Sequence, residues 1–313
     1  MKKILFFASM SLLAFSLISC DTKKVDDNKE DEKQQEDDKK EEIVNNKLLD
    51  KDGNDLLELE EYYLPIGGKL ESKDGFKKNL HALIEQSHVK HLTYKECWDG
   101  CEKADEDPNN SANIICIYSG ASILKTKHVG SAGKTGEWNR EHLYPQSKGF
   151  SSKDAVAHND IHHLRAAEYS TNSDRKDTDF GEGGLYTPRI EVRGDIARAV
   201  LYMTVRYEAD DYSSYKYNGR TYTDSDDLDL ELSSSKGDIT KPYTGSYYLG
   251  DLYYLIKWNY EDPVDDTERK RNDVVAGIQG NRNPFIDHNE FVAYLYPEFA
   301  KEYVDISNIE YLL

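Results

Sequence analysis

A chain of 313 residues has room for one large domain or two small ones and can bury a sizeable core without disulfide staples, which excludes a peptide or mini-protein. Its 59 acidic and 40 basic residues leave a formal charge of −19, and 32% charged residues argue against a multi-span membrane protein. The acidity also argues against a protein that packages nucleic acid through counterion release from a basic surface, though not against an enzyme that grips a polyanion through a few local cations and a metal.

At the N-terminus Lys2 and Lys3 precede an apolar run from Ile4 to Ile18, and Leu17-Ile18-Ser19-Cys20 closes it. This resembles a bacterial lipoprotein signal, in which cleavage leaves the cysteine lipidated at the head of the mature chain. Residues 1–20 are therefore expected to be a signal and Cys20 the site of lipid attachment. Residues 21–45 hold eleven Asp or Glu, six Lys and almost nothing apolar, so they cannot offset their ordering entropy and read as a disordered tether. Residues 46–313 then carry −16 of the −19, with no internal repeat and no second low-complexity break, and read as one domain.

Asp50-Lys51-Asp52-Gly53-Asn54-Asp55 offers part of a calcium loop running to Glu61, but Asp55 replaces the required glycine and no entering helix fits before it. A solvated turn leading into a helix is the expectation. Helical spacing follows at Phe76, Leu80, Leu83 and Ile84. Thr93 and Glu96 are spaced as a capping box, after which Tyr94, Cys97, Trp98 and Cys101 share a helix face. A strand is expected from Asn113 to Ser119, containing Cys116. With Cys20 set aside, the three remaining thiols read as small core residues in preference to a disulfide or a zinc site. Further strands are expected around Glu137–Tyr144 and Asp160–Arg165, helices around Ile196, Val200, Leu201 and Tyr207 and around Leu252, Leu255 and Ile256, and a long surface excursion over Tyr212–Tyr248.

Chemistry concentrates between Trp138 and Phe180. Trp138-Asn139-Arg140-Glu141-His142-Leu143-Tyr144-Pro145-Gln146-Ser147 is followed by Asn159-Asp160-Ile161-His162-His163-Leu164-Arg165 and Thr171-Asn172-Ser173-Asp174-Arg175. Four of the nine histidines and three arginines fall in this stretch. Such a set suits phosphate chemistry: oxygen donors for a hard cation, a titratable base and guanidinium groups that pair with phosphate oxygens. His158 and His162, four apart, would make a zinc pair on a helix, but no Glu follows His158 in metalloprotease fashion.

The order of these motifs resembles the endonuclease I family of secreted bacterial nucleases. Gln279-Gly280-Asn281-Arg282-Asn283-Pro284-Phe285-Ile286-Asp287-His288 and Gly194-Asp195-Ile196-Ala197-Arg198 look like further family landmarks, so the likeness spans about Tyr62 to Tyr296. The resemblance implies an α+β, mostly helical single domain built around a ββα-metal (His-Me) finger. It implies His142 as general base, Glu141 and Asn172 as ligands of Mg²⁺ (or Mn²⁺ or Ca²⁺), and little sequence preference, with 5′-phosphate products from DNA and also RNA. Arg175 is the first candidate to neutralise the transition state, and Arg140 and Arg165 are candidates for holding substrate. His162 and His163 are expected beside the site, on the finger's second strand. In the cell envelope, the membrane would be met through the N-terminal lipid, and no protein partner is evident. The rival expectation is a non-catalytic surface lipoprotein on the same fold.

Overall fold

The Asp50 turn joins two short antiparallel strands, β1 (Lys47–Leu49) and β2 (Asp55–Glu58), to which β3 (Gly68–Lys69) adds in parallel. Asp50 spends its carboxylate on this turn: Oδ1 accepts from the amides of Asp52 at 2.9 Å and Asn54 at 2.8 Å, and Oδ2 from Asn54 Nδ2 at 2.7 Å. The expected turn is there, but it leads into a strand and not a helix. The computed structural model describes residues 46–129, 133–208, 214–217, 220–223, 230–233 and 248–313. The expected signal with Cys20, the expected tether and most of the Tyr212–Tyr248 stretch lie outside them.

In α1 (Lys73–Ser87) the periodic residues Phe76, Leu80 and Ile84 are buried, and Ser72 caps the helix by accepting from the Gly75 amide at 3.2 Å. The capping box forms before α2 (Glu96–Ala104): Glu96 Oε2 accepts from the Thr93 amide at 2.8 Å, and Thr93 Oγ1 accepts from the Glu96 amide at 3.3 Å. Tyr94 sits in the turn ahead of α2, while Cys97 and Cys101 face inward. A three-stranded sheet of β4 (Glu106–Asp107), β5 (Asn110–Ile115) and β6 (Ser122–Leu124) follows. Its middle strand ends earlier than expected because the chain turns back at Cys116, where the Gly120 amide donates to the Cys116 carbonyl at 2.8 Å. Cys97, Cys101 and Cys116 are all free and buried, in keeping with small core residues.

Next come β7 (Trp138–His142), β8 (Leu164–Glu168) and α3 (Tyr169–Arg175). The strands are antiparallel, in register from Trp138↔Glu168 to His142↔Leu164, and α3 begins directly after β8. Residues 160–163, expected in the second strand, instead form a turn in which Asp160 Oδ1 accepts from the His162 amide at 2.9 Å. Trp138, Leu164 and Ala166 pack with Cys97, Cys101, Ile114, Cys116 and Ile161 on one side of this ribbon. Ala167 faces the larger core on the other.

That larger core surrounds α4 (Arg193–Arg206), twelve of whose residues are buried. Two small pairs follow: β9 (Ser214–Tyr217) with β10 (Arg220–Thr223), antiparallel, and β11 (Glu231–Ser233) with β12 (Tyr248–Asp251), parallel. The chain ends in α5 (Leu252–Glu261), α6 (Asp266–Gln279), α7 (Pro284–Asp287), α8 (Glu290–Leu295) and α9 (Pro297–Ala300). The last three are too short to show a period; proline opens α7 and α9, where its missing N–H costs nothing. The Gln279–His288 string joins α6 to α7. Gly280 turns it at φ 100°, where a Cβ would lie 2.4 Å from the Ser87 carbonyl oxygen. The architecture is an α+β single domain in which helices dominate and the finger is a two-stranded ribbon followed by one short helix.

Candidate active site

The pleat of β7 sorts its side chains. Trp138, Arg140 and His142 alternate with Asn139 and Glu141. The Asn139/Glu141 face meets α3: Asn172 Nδ2 donates to Asn139 Oδ1 at 2.7 Å, and Arg175 Nη1 donates to Glu141 Oε1 at 3.0 Å. With its amide nitrogen so engaged, Asn172 keeps its own Oδ1 as an acceptor. His142 belongs to the opposite face but is the final residue of the strand, and the ladder stops there. Both faces therefore open onto one pocket of about 300 Å³, whose lining includes Tyr94, Arg140, Glu141, His142, Asn172 and Lys176.

Glu141 is only 3% exposed. Burial raises its pKa, while Arg175 and a 2.5 Å hydrogen bond from Tyr118 Oη oppose that shift. Both hydrogen bonds arrive on Oε1, and among the described residues Oε2 receives none. The neutral imidazole of His142 is favoured strongly by burial, which pushes its pKa well below the ordinary histidine value, with His163 and His158 acting in the same direction. His142 Nε2 lies 2.9 Å from the His158 carbonyl oxygen. A carbonyl can only accept, so Nε2 carries the proton and Nδ1 keeps the lone pair that a base requires.

Arg175 lines the pocket but is 1% exposed and donates from all three guanidinium nitrogens to protein acceptors, which corrects its expected role as a free cation facing the phosphate. Besides Glu141, its guanidinium donates to the carbonyls of His142 at 3.0 Å, Leu143 at 2.9 Å and Thr178 at 3.1 Å, and it lies over the Phe180 ring. It supplies donors to carbonyls that the ladder no longer satisfies and so shapes the irregular exit of β7. Arg165 is likewise corrected. It is absent from the pocket lining, its Nε donates to Asp105 Oδ1 at 3.0 Å, and Asp195 lies 3.6 Å from Nη1. Arg140 does line the pocket, with its guanidinium 3.4 Å from the Tyr94 ring centroid, 3.9 Å from that of Trp98, and bonded to the Tyr94 carbonyl.

His162 does not reach the site: its Nε2 donates to the Asn281 carbonyl at 3.0 Å and its ring packs on Tyr202. It belongs to a buried network around Asp160, which accepts from Tyr202 at 2.7 Å and from Gln279 at 2.9 Å. The landmark string Gln279–His288 thus acts as scaffold, with Asp287 accepting from Tyr63 at 2.6 Å and from both Nε and Nη2 of Arg282. His163 is closer, its ring 5.5 Å from that of His142 and its Nε2 donating to the Ala157 carbonyl at 2.8 Å. His158 and His162 turn to different partners and make no zinc pair.

Sequence reasoning missed four contributors. Asn139 could have been found from strand alternation, two residues before Glu141. Lys176 follows Arg175 and is exposed on the pocket rim, at φ 56°, the single positive φ among described non-glycine residues. Tyr94 was read only as a helix-face residue. Nothing local marks Tyr118, whose bond to Glu141 crosses between separate elements.

A model of the endonuclease I family matches residues 72–187 and 182–290, a span that contains the whole finger. The chain is 39% identical over 249 residues to an extracellular ribonuclease of Bacillus amyloliquefaciens, covering 75% of this chain and 77% of that protein. It is 37% identical over 255 residues to an extracellular ribonuclease of Bacillus subtilis strain 168, covering 77% and 80%. With the matched region enclosing both strands and the helix of the pocket, this chain belongs to the endonuclease I family of nucleases.

Proposed function

We propose that the chain is an exported, lipid-anchored, metal-dependent endonuclease that hydrolyses RNA and DNA with little sequence preference. The observation that carries this is the convergence of His142, Glu141 and Asn172 on one pocket at the end of β7. His142 Nδ1 takes a proton from water as the water oxygen attacks phosphorus. The P–O3′ bond breaks, and the products are a 5′-phosphate and a 3′-hydroxyl that is protonated from solvent. Because water is the nucleophile, no 2′-hydroxyl is required, and both nucleic acids are substrates. The two relatives named extracellular ribonucleases support RNA as a substrate and export as the destination.

Glu141 Oε2 and Asn172 Oδ1 are hard oxygen donors suited to Mg²⁺, which keeps several of its waters and needs few protein ligands. When bound, such a cation stabilises charge on the scissile phosphate and the departing 3′ oxygen. Asn139 and Arg175 hold the two donors in place, and Arg140 and Lys176 supply the cations of the rim. Cys20 is the proposed anchor point.

The test is incubation of the purified chain from Asn46 onward with plasmid and with RNA, with and without a chelator, across a series of divalent ions. Cleavage of both substrates, lost to the chelator and restored by Mg²⁺, with 5′-phosphate ends, is expected. Absence of cleavage under every cation would favour the rival, a non-catalytic surface lipoprotein. Mass spectrometry of the exported protein for a lipid on Cys20 tests the anchor separately.

A further inference from the structure

We propose that the side chain of His158 is a positioning residue for the general base: its Nδ1 is the second acceptor of the proton on His142 Nε2 and locks the plane of that imidazole. The inference rests on the nuclease reading above. His158 Nδ1 lies 2.8 Å from His142 Nε2, beside the carbonyl of the same residue at 2.9 Å. Only one assignment satisfies both contacts. The carbonyl requires a hydrogen on His142 Nε2, and a second hydrogen on His158 Nδ1 would collide with it, so His158 Nδ1 must be the lone-pair nitrogen. A neutral His158 then has its hydrogen on Nε2.

That remaining nitrogen is buried and has no hydrogen-bond partner among the described residues, in a residue only 1% exposed. A buried polar atom left unpaired calls for a reason, and here the ring is oriented for its other nitrogen. The orientation is held from behind. His158 packs against both His142, ring centroids 4.5 Å apart, and Tyr94, 4.6 Å apart, the three rings forming one cluster. Tyr94 is in turn fixed by the Arg140 guanidinium between it and Trp98. A single carbonyl acceptor leaves the imidazole free to rock about the hydrogen bond; two acceptors on one residue remove that freedom and aim Nδ1 at the pocket.

The first test is spectroscopic and needs no substrate. Long-range ¹H–¹⁵N correlation in the metal-free chain should show both His142 and His158 protonated on Nε2, and protonation of His158 on Nδ1 overturns the proposal. The second is kinetic. His158→Ala should lower kcat about tenfold to a hundredfold, as loss of a residue that orients an imidazole does, with KM essentially unchanged. His158→Asn, which returns an acceptor oxygen near the Nδ1 position, should recover most of the loss. An unchanged kcat in His158→Ala, or an Asn variant no better than Ala, overturns the proposal. Should the Ala variant fail to fold, the tautomer spectra of the unmodified chain decide alone. A chain that cleaves no nucleic acid would instead overturn the nuclease reading and leave the spectra to judge His158.

Discussion

Arg175 and Lys176 are neighbours with opposite fates: one is buried among carbonyls, the other exposed on the rim of the same pocket. Lys176 has φ 56° and ψ −131°, a backbone region that costs a side-chain-bearing residue of order 1–3 kcal/mol. Lys176→Gly should therefore raise stability by about 1 kcal/mol while raising KM for nucleic acid. Thermal melts and steady-state kinetics on one preparation check both signs, and a stabilised variant with unchanged KM would remove Lys176 from the binding surface. His142 and the two oxygen donors separate in the same way. His142→Ala should cost at least about a hundredfold in rate with the half-saturating Mg²⁺ concentration unchanged. Glu141→Ala and Asn172→Ala should shift that concentration upward and be partly rescued by more metal. A Mg²⁺ titration of all three variants distinguishes a base from a ligand.

Between elements, Asp105 does what no motif announced. It stands at the end of α2, where Oδ1 accepts from Arg165 at 3.0 Å and Arg271 at 2.7 Å, and Oδ2 from the Ala166 amide of β8 at 2.6 Å. One carboxylate thus ties α2, α6 and the finger's second strand together. Asp105→Ala would leave two largely buried guanidinium groups without it, at a cost of about 3–5 kcal/mol. Denaturant unfolding should show the lowered midpoint, and a loss below about 1 kcal/mol would mean that Asp195 and nearby carbonyls suffice. Helices with a buried stripe, such as α1 and α5, and the reciprocal Thr93/Glu96 cap were legible from spacing, because their determinants lie within four residues of one another. The turn at Asp160–His163 was not, because the Asp160 side chain is also shared with Tyr202, Tyr207 and Gln279, distant in the chain.

For the molecule as a whole, burying histidines makes stability depend on pH. His162 is pushed from 6.5 down to about 4, chiefly by burial against a raising pull from Asp160, and burial lowers His88 as well. Both stay neutral when folded, so below pH 6.5 the unfolded chain binds more protons than the folded one. Their contribution is fully present above that pH and is lost as pH falls from 6.5 toward 4, by about 3 kcal/mol for His162 alone. Melting temperature should drop across this window, and a flat profile between pH 7 and 4.5 would show that these rings are not held neutral. Burial works to raise the Asp160 carboxyl, yet it is held below its ordinary value with hydrogen bonds from Gln279 and Tyr202 favouring the charged form, and it adds a loss of the same sign below the ordinary carboxylate range.

By itself the amino-acid sequence determined the acidic balance, the main helices, the burial of three free thiols and the three ordered motifs that point to the finger. Each depends on residue types and on spacing along a local backbone. Only the tertiary structure decided which cations face the pocket. Whether Arg140, Arg165 or Arg175 meets substrate depends on partners far away in the chain, and those partners buried two of the expected roles in carboxylates and carbonyls. The same long-range packing brought Tyr118 to Glu141 and His158 to His142, contacts that no local period can encode.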